Sequence, residues 1–140
     1  MCIRDSPNAG GLFGLLQGVR FVSNKGVSRI AMEEKQLADQ LVAELRKLES
    51  VDGYCWDCEQ RTGVVSFNIK QQDPATVAML LDSEFGIQVR AGLHCAPLIH
   101  KSLGTDMTGG TIRVSPGVFN TAEHIDRLVQ AVAQLTSQLV

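Results

Sequence analysis

The 140-residue chain predicts an α+β fold, a small sheet of about four strands covered by helices. Three observations carry that reading. Four short β-branched or aromatic runs, near residues 51–56, 63–69, 87–90 and 111–115, alternate with segments of helical spacing. Their order is helix, helix, strand, strand, helix, strand, short helix, strand, helix, which suits a small sheet covered by helices on one face. A composition of 44% hydrophobic and 20% charged residues, with no internal repeat, fits one globular unit large enough to bury a core.

Pro7 and Asn8 form a helix start, and Leu12, Leu15, Leu16, Val19, Phe21 and Val22 follow at helical spacing. Asn24 to Gly26 separates this segment from a long amphipathic helix, Val27–Leu48. Ile30, Leu37, Leu41, Leu45 and Leu48 share one face there, and Glu33, Glu34, Lys35, Asp39, Glu44, Arg46 and Lys47 lie mostly on the other. Strands are expected at Val51–Trp56 and Gly63–Ile69. The Asp73-Pro74 cap and Gly86 bracket a third helix. A strand at Ile87–Arg90, a short helix over 95–103 and a strand at Thr111–Ser115 come next. The last helix is capped by Asn120 or Thr121 and has Ile125, Leu128, Val132 and Leu135 in register.

Charge and cysteine content narrow the function. A net charge of −2 with no Lys/Arg run offers no field for nucleic-acid phosphates or an anionic membrane. No apolar run approaches a membrane-spanning length and the N-terminus lacks a signal-peptide core, so a cytoplasmic protein is expected. Cys2, Cys55, Cys58 and Cys95 then read as free, catalytic or metal-binding thiols rather than as a disulfide framework. Residues 1–6, MCIRDS, resemble an in-frame translated sequencing adapter. The protein's own sequence would accordingly be 7–140, with its reading frame continuing upstream.

The chemistry-bearing residues concentrate in RAGLHCAPLIH, residues 90–100. Cys95 follows a strand and opens a short helix, and Arg90, His94 and the helix N-terminus could each favour its thiolate. Taken alone, a single cysteine there also reads as a packing residue. Cys55 and Cys58 form CWDC, a redox or half-zinc pattern without a second ligand pair nearby, and so read as structural or incidental. GTDMTGG, 104–110, lacks the Lys-Ser/Thr and helix of a phosphate loop. Lys101 reads as solvated, and His124 as a surface residue.

The segments GIQVRAGLHCAPLIHKSLGT (86–105) and GGTIRVSPGVFNTAEHIDRLVQAV (109–132), with PNAGGLFGLLQGVRFV and GVVSFNI in the same order, resemble the C-terminal part of class V aminotransferase-fold enzymes, in particular the cysteine desulfurase and selenocysteine lyase branch. The resemblance implies pyridoxal 5'-phosphate as cofactor, held as a Schiff base by a lysine of a large N-terminal domain outside this chain. It implies Cys95 as the thiol that takes sulfur from L-cysteine to leave alanine. Arg113 would grip the substrate carboxylate, with Arg90 and His94 shaping the same site, and Asn8 would reach the cofactor phosphate of a neighbouring subunit in a homodimer. A sulfur-acceptor protein is a further implied partner. Leu93 stands where the best-matching desulfurases carry a second histidine, so cysteine, cysteine sulfinate and selenocysteine all remain open as donors. The chain by itself would be inactive. The competing reading is an independent thiol or zinc-binding module built on Cys55, Cys58 and Cys95.

Overall fold

The structure, a computed structural model, describes residues 7–139, so the adapter-like segment lies outside the described residues. Helix α1 (Ala9–Lys25) starts where Asn8 Oδ1 accepts a hydrogen bond from Gly11 N at 2.9 Å. None of its residues is buried, and Leu12, Phe13, Leu15, Leu16, Val19, Phe21 and Val22 are all exposed. After Gly26, α2 (Val27–Leu45) buries Ala38, Leu41, Val42 and Leu45. It ends three residues earlier than its apolar spacing suggests. Lys47 N bonds to Glu44 O and Leu48 N to Leu45 O, so the chain tightens into successive turns while Leu48 still packs on the core.

The sheet contains β1 (Val51–Tyr54), β2 (Val65–Ile69), β3 (Arg90–Gly92) and β4 (Thr111–Val114), in the order β1-β2-β4-β3 and antiparallel throughout. Helix α3 (Pro74–Phe85) begins with Asp73 accepting from Thr76 N at 2.9 Å. It ends in a left-handed cap at Gly86, with Gly86 N bonded to Asp82 O and Ile87 N to Leu81 O. Short α4 (Pro97–Leu103) precedes the Gly-rich loop, and α5 (Ala122–Leu139) closes the chain. At the start of α5, His124 Nδ1 reaches back to accept from Thr121 N at 3.2 Å, while Asn120 Oδ1 accepts from Gly117 N. Thr121 is thus the cap position, and the exposed His124 supplies the reciprocal bond. Among the described residues no helix is long and apolar enough to cross a membrane.

Register separates the two faces of the sheet. Val65, Phe67, Ile69, Ile112 and Val114 are buried with residues of α2, α3 and α5, making one core around fully enclosed Phe67 and Ile112. The opposite face carries a row across all four strands, Tyr54 opposite Ser66, Ser66 opposite Arg113 and Arg113 opposite Arg90. This polar row is where the chemistry collects.

All four strands depart from their expected bounds: β2 starts two residues later, at Val65, β4 ends one residue earlier, at Val114, and β3 and β1 differ for separate reasons. The third strand lies at Arg90–Gly92, not Ile87–Arg90. Ile87 and Val89 alternate because they pack on the core, and a packing period does not require a paired backbone. The first strand stops at Tyr54 because Cys55 turns into the left-handed region at φ 57°, which folds Trp56 back over Gly53. A Cβ on Gly53 would fall 2.1 Å from the indole, whose Nε1 donates to Ser66 O at 3.0 Å.

Gly110, at φ 90°, packs its backbone against the end of β3: an added Cβ would sit 2.2 Å from Gly92 O. Gly86 is left-handed too, at φ 65°, but has open space around it. Gly86→Ala should therefore cost about 1–2 kcal/mol from backbone conformation alone. Gly110→Ala should cost more, on the order of 3–5 kcal/mol, because it also pushes β3 away from β4. Urea unfolding midpoints of the two variants measure the difference.

Candidate active site

Arg113 projects from the middle of β4 and is half-buried, with exposed Arg90 directly across the ladder. Like charges facing each other across two strands repel. Among the described residues neither arginine has an acidic partner, and Arg113 Nε is buried without a hydrogen bond. Both line a cavity of about 360 Å³ that also takes in Ser115, Asn120 and His124. A buried donor with no acceptor is costly, so this arrangement suits an anion brought from outside. A carboxylate matches the planar guanidinium fork.

Two residues before Arg113, the carbonyl of Thr111 receives His94 Nε2 at 2.9 Å. A carbonyl only accepts, so Nε2 carries the proton and Nδ1 is a bare acceptor. That Nδ1 is buried and unpartnered. Burial holds the His94 pKa below the ordinary histidine value; the bond to Thr111 opposes this, and the nearby positive charge of Arg113, with His100 and Arg90, adds to it. The His100 ring lies 5.8 Å from that of His94 and is itself buried, with Nδ1 2.7 Å from Thr105 Oγ1. Nothing local in the sequence distinguishes His100, whose partner is five residues on, across the end of α4.

Cys95 follows His94 in a tight turn closed by Ala96 N donating to Leu93 O at 2.8 Å. Both central residues are left-handed, His94 at φ 51° and Cys95 at φ 59°, the sign pattern of a type I′ turn. Non-glycine residues in that region are strained and are held there by surrounding contacts. Here the His94 bond to β4 is the anchor. Cys95 is left exposed at the apex, immediately before α4.

The structure therefore brings Arg90, Arg113 and His94 into one electrostatic neighbourhood and presents Cys95 from the adjoining turn. Asn8 caps α1 and does not line the arginine cavity. Cys55 and Cys58 line a second cavity, again about 360 Å³, together with Arg61, His94, Ala96 and His100. Among the described residues no three His, Cys, Asp or Glu side chains converge to hold a metal. No lysine lines either cavity. Lys25, Lys35, Lys47 and Lys70 are each ion-paired, and Lys101 is exposed on α4. These residues fit the carboxylate end of an amino acid, not covalent attachment of an aldehyde cofactor.

Comparison with known proteins agrees with the fold. The Aminotransferase class-V family model matches residues 4–128, and the chain belongs to that family, whose members are pyridoxal-phosphate enzymes. It is 34% identical over 128 residues to a "probable cysteine desulfurase" of Methanothermobacter thermautotrophicus, covering 91% of this chain and 32% of the relative. A "probable cysteine desulfurase" of Staphylococcus epidermidis is 36% identical over 121 residues, covering 86% and 28%. The apo cysteine desulfurase structure from Thermococcus onnurineus NA1 superposes with a TM-score of 0.85 at 35% identity, covering 95% of this chain and 32% of that one. The chain spans about a third of the length of these relatives.

His94 gives the fold a distinct acid response. With its folded pKa below the ordinary value of 6.5, the unfolded chain takes up the proton first. Stability is complete above that value and should fall as pH drops from there toward the lower folded pKa. His94→Gln should flatten this segment of a stability-versus-pH curve, leaving the carboxylate-dependent loss at lower pH in place.

Proposed function

We propose that this chain is the part of a pyridoxal-phosphate cysteine desulfurase that binds the substrate carboxylate and presents the sulfur-accepting thiol. The carrying observation is the pair Arg113–Arg90, two unneutralised guanidiniums with a buried unpartnered Nε, two residues along β4 from the carbonyl that anchors the Cys95 turn. Arg113 takes the carboxylate of L-cysteine in a bidentate grip, and Arg90 adds positive charge at the rim. His94, kept neutral, fixes the turn without adding a further charge. Cys95 attacks the substrate sulfur: a sulfur–sulfur bond forms, the carbon–sulfur bond breaks, and the carbon skeleton leaves as alanine once protonated. The cofactor, bound outside the described residues, would supply the electron sink for that cleavage.

The similarity to cysteine desulfurases over nearly the whole chain supports this reading. We place the protein in the cytoplasm as a homodimer, with a sulfur-acceptor protein as a further partner. Asn8 is the contact to the second subunit's cofactor phosphate: its Oδ1 is committed to Gly11 N, and its Nδ2 supplies the donors. The exposed apolar face of α1 supports burial in such an assembly.

The test uses a cofactor-loaded enzyme carrying this chain, for example in place of the matching third of the Thermococcus onnurineus desulfurase. Cys95→Ala should abolish persulfide formation from L-cysteine while leaving the cofactor's absorbance unchanged. Arg113→Ala should weaken substrate binding by about 2–4 kcal/mol, the loss of a charge-assisted pair with the partner left exposed. Arg113→Lys should restore only part of this. Full turnover by Cys95→Ala, with sulfur still recovered as enzyme persulfide, would refute the assignment.

A further inference from the structure

Cys55 and Cys58 sit in a built setting. Cys58 N donates to Cys55 O at 3.3 Å, closing a turn whose first and fourth residues are the two cysteines. Such turns bring their end Cα atoms within about 7 Å, the span a disulfide bridges. The two middle residues are the anchors. Trp56 is stacked over Gly53 and bonded to Ser66 O, and Asp57 pairs with Arg46 of α2 at 2.5 Å. Both thiols are exposed, and Cys58 is close enough to act on the Cys55 thiol electrostatically.

The cavity they line has His94 and Ala96 on its wall, the residues on either side of Cys95. Two of the buried polar atoms without partners, Arg61 Nη1 and His94 Nδ1, also belong to residues of this cavity. Arg61 is ion-paired to Asp39 of α2 through its other terminal nitrogen, which ties the loop after Cys58 in place. A fixed dithiol therefore faces the turn that carries the sulfur-accepting residue, across a space with an uncommitted donor and acceptor.

We propose that Cys55 and Cys58 form a resolving dithiol that takes sulfane sulfur from Cys95 and releases it as hydrogen sulfide. The inference rests on Cys95 being the sulfur acceptor. Partial desolvation and the neighbouring Cys58 thiol push the Cys55 pKa up, and the relay accordingly assigns the first attack to Cys58 and the second to Cys55. Cys58 thiolate attacks the outer sulfur of the Cys95 persulfide. That sulfur–sulfur bond breaks, Cys95 departs as thiolate and regains a proton, and the persulfide now sits on Cys58. Cys55, giving up its proton, then attacks the inner sulfur; a Cys55–Cys58 disulfide forms and hydrosulfide leaves. The sulfane sulfur gains two electrons and the two thiols lose two, so no outside oxidant enters. A small-molecule or protein thiol reopens the disulfide for the next cycle.

The experiment gives the cofactor-loaded enzyme one equivalent of L-cysteine without reductant, quenches it by alkylation at intervals, and maps sulfur and disulfides by peptide mass spectrometry while sulfide is measured. Extra sulfur should appear on Cys95 first, then on Cys58, and a Cys55–Cys58 disulfide should form in step with sulfide release. Cys58→Ser should hold the sulfur on Cys95 and reduce sulfide release to background. In Cys95→Ser neither sulfur nor the disulfide should reach the pair. Wild-type enzyme that keeps its sulfur on Cys95, with both CWDC thiols reduced, overturns the relay and leaves the Cys95 assignment standing. The disulfide forming equally in Cys95→Ser also overturns it. Full turnover by Cys95→Ser would instead bring down the functional reading beneath it.

Discussion

The side-chain amide of Asn68 holds the working half of this fold together. The regular ladder between β2 and β4 runs from Val65 opposite Val114 to Phe67 opposite Ile112 and then stops. Beyond it, buried Asn68 takes over, its Nδ2 donating to Gly110 O at 2.9 Å and its Oδ1 accepting from Ile112 N at 3.2 Å. Those bonds bracket Thr111. The Thr111 carbonyl is thereby aimed at His94, His94 holds the turn, and the turn presents Cys95. A buried amide satisfied on both ends can specify one backbone path, whereas an apolar residue there would leave two backbone groups without partners. The cysteine's position is set from a strand two ladders away.

The polar face of the sheet shows the complementary principle. Its helix-covered face is closed and apolar, but the row from Tyr54 to Arg90 places cations side by side with no acid among the described residues to neutralise them. Evolved interiors seldom leave such groups unmatched unless something else supplies the match. The unpartnered nitrogens of Arg113, His94 and Arg61 all border the two cavities described.

Much of the fold was legible in the sequence because its signals are local. Asp73-Pro74 and Gly86 bracket α3 as their capping chemistry requires, and the apolar spacing of α5 identifies its buried stripe of Ile125, Leu128, Val132 and Leu135. The strand order was not legible, since β4 inserts between β2 and β3 through contacts remote in sequence. The site divides in the same way. Arg113, Arg90, His94 and Cys95, on which the proposed function rests, fall in recognisable motifs. Asn68 and Arg61 do not, because Asn68 acts on β4 through Gly110 and Ile112 and Arg61 acts on α2 through Asp39, each more than twenty residues away, and Cys55 with Cys58 lacked any sequence cue that a cavity joins them to His94.

The left-handed backbone at position 95 also governs which amino acids this position can sample over evolutionary time. Glycine and asparagine enter that conformation at little cost, and an unbranched side chain such as serine tolerates it. Valine, isoleucine and threonine do not, because a branched Cβ collides with the flanking peptide groups. Neutral drift at the apex is thus confined to a narrow set of small or unbranched side chains, a filter imposed by geometry before any selection on chemistry.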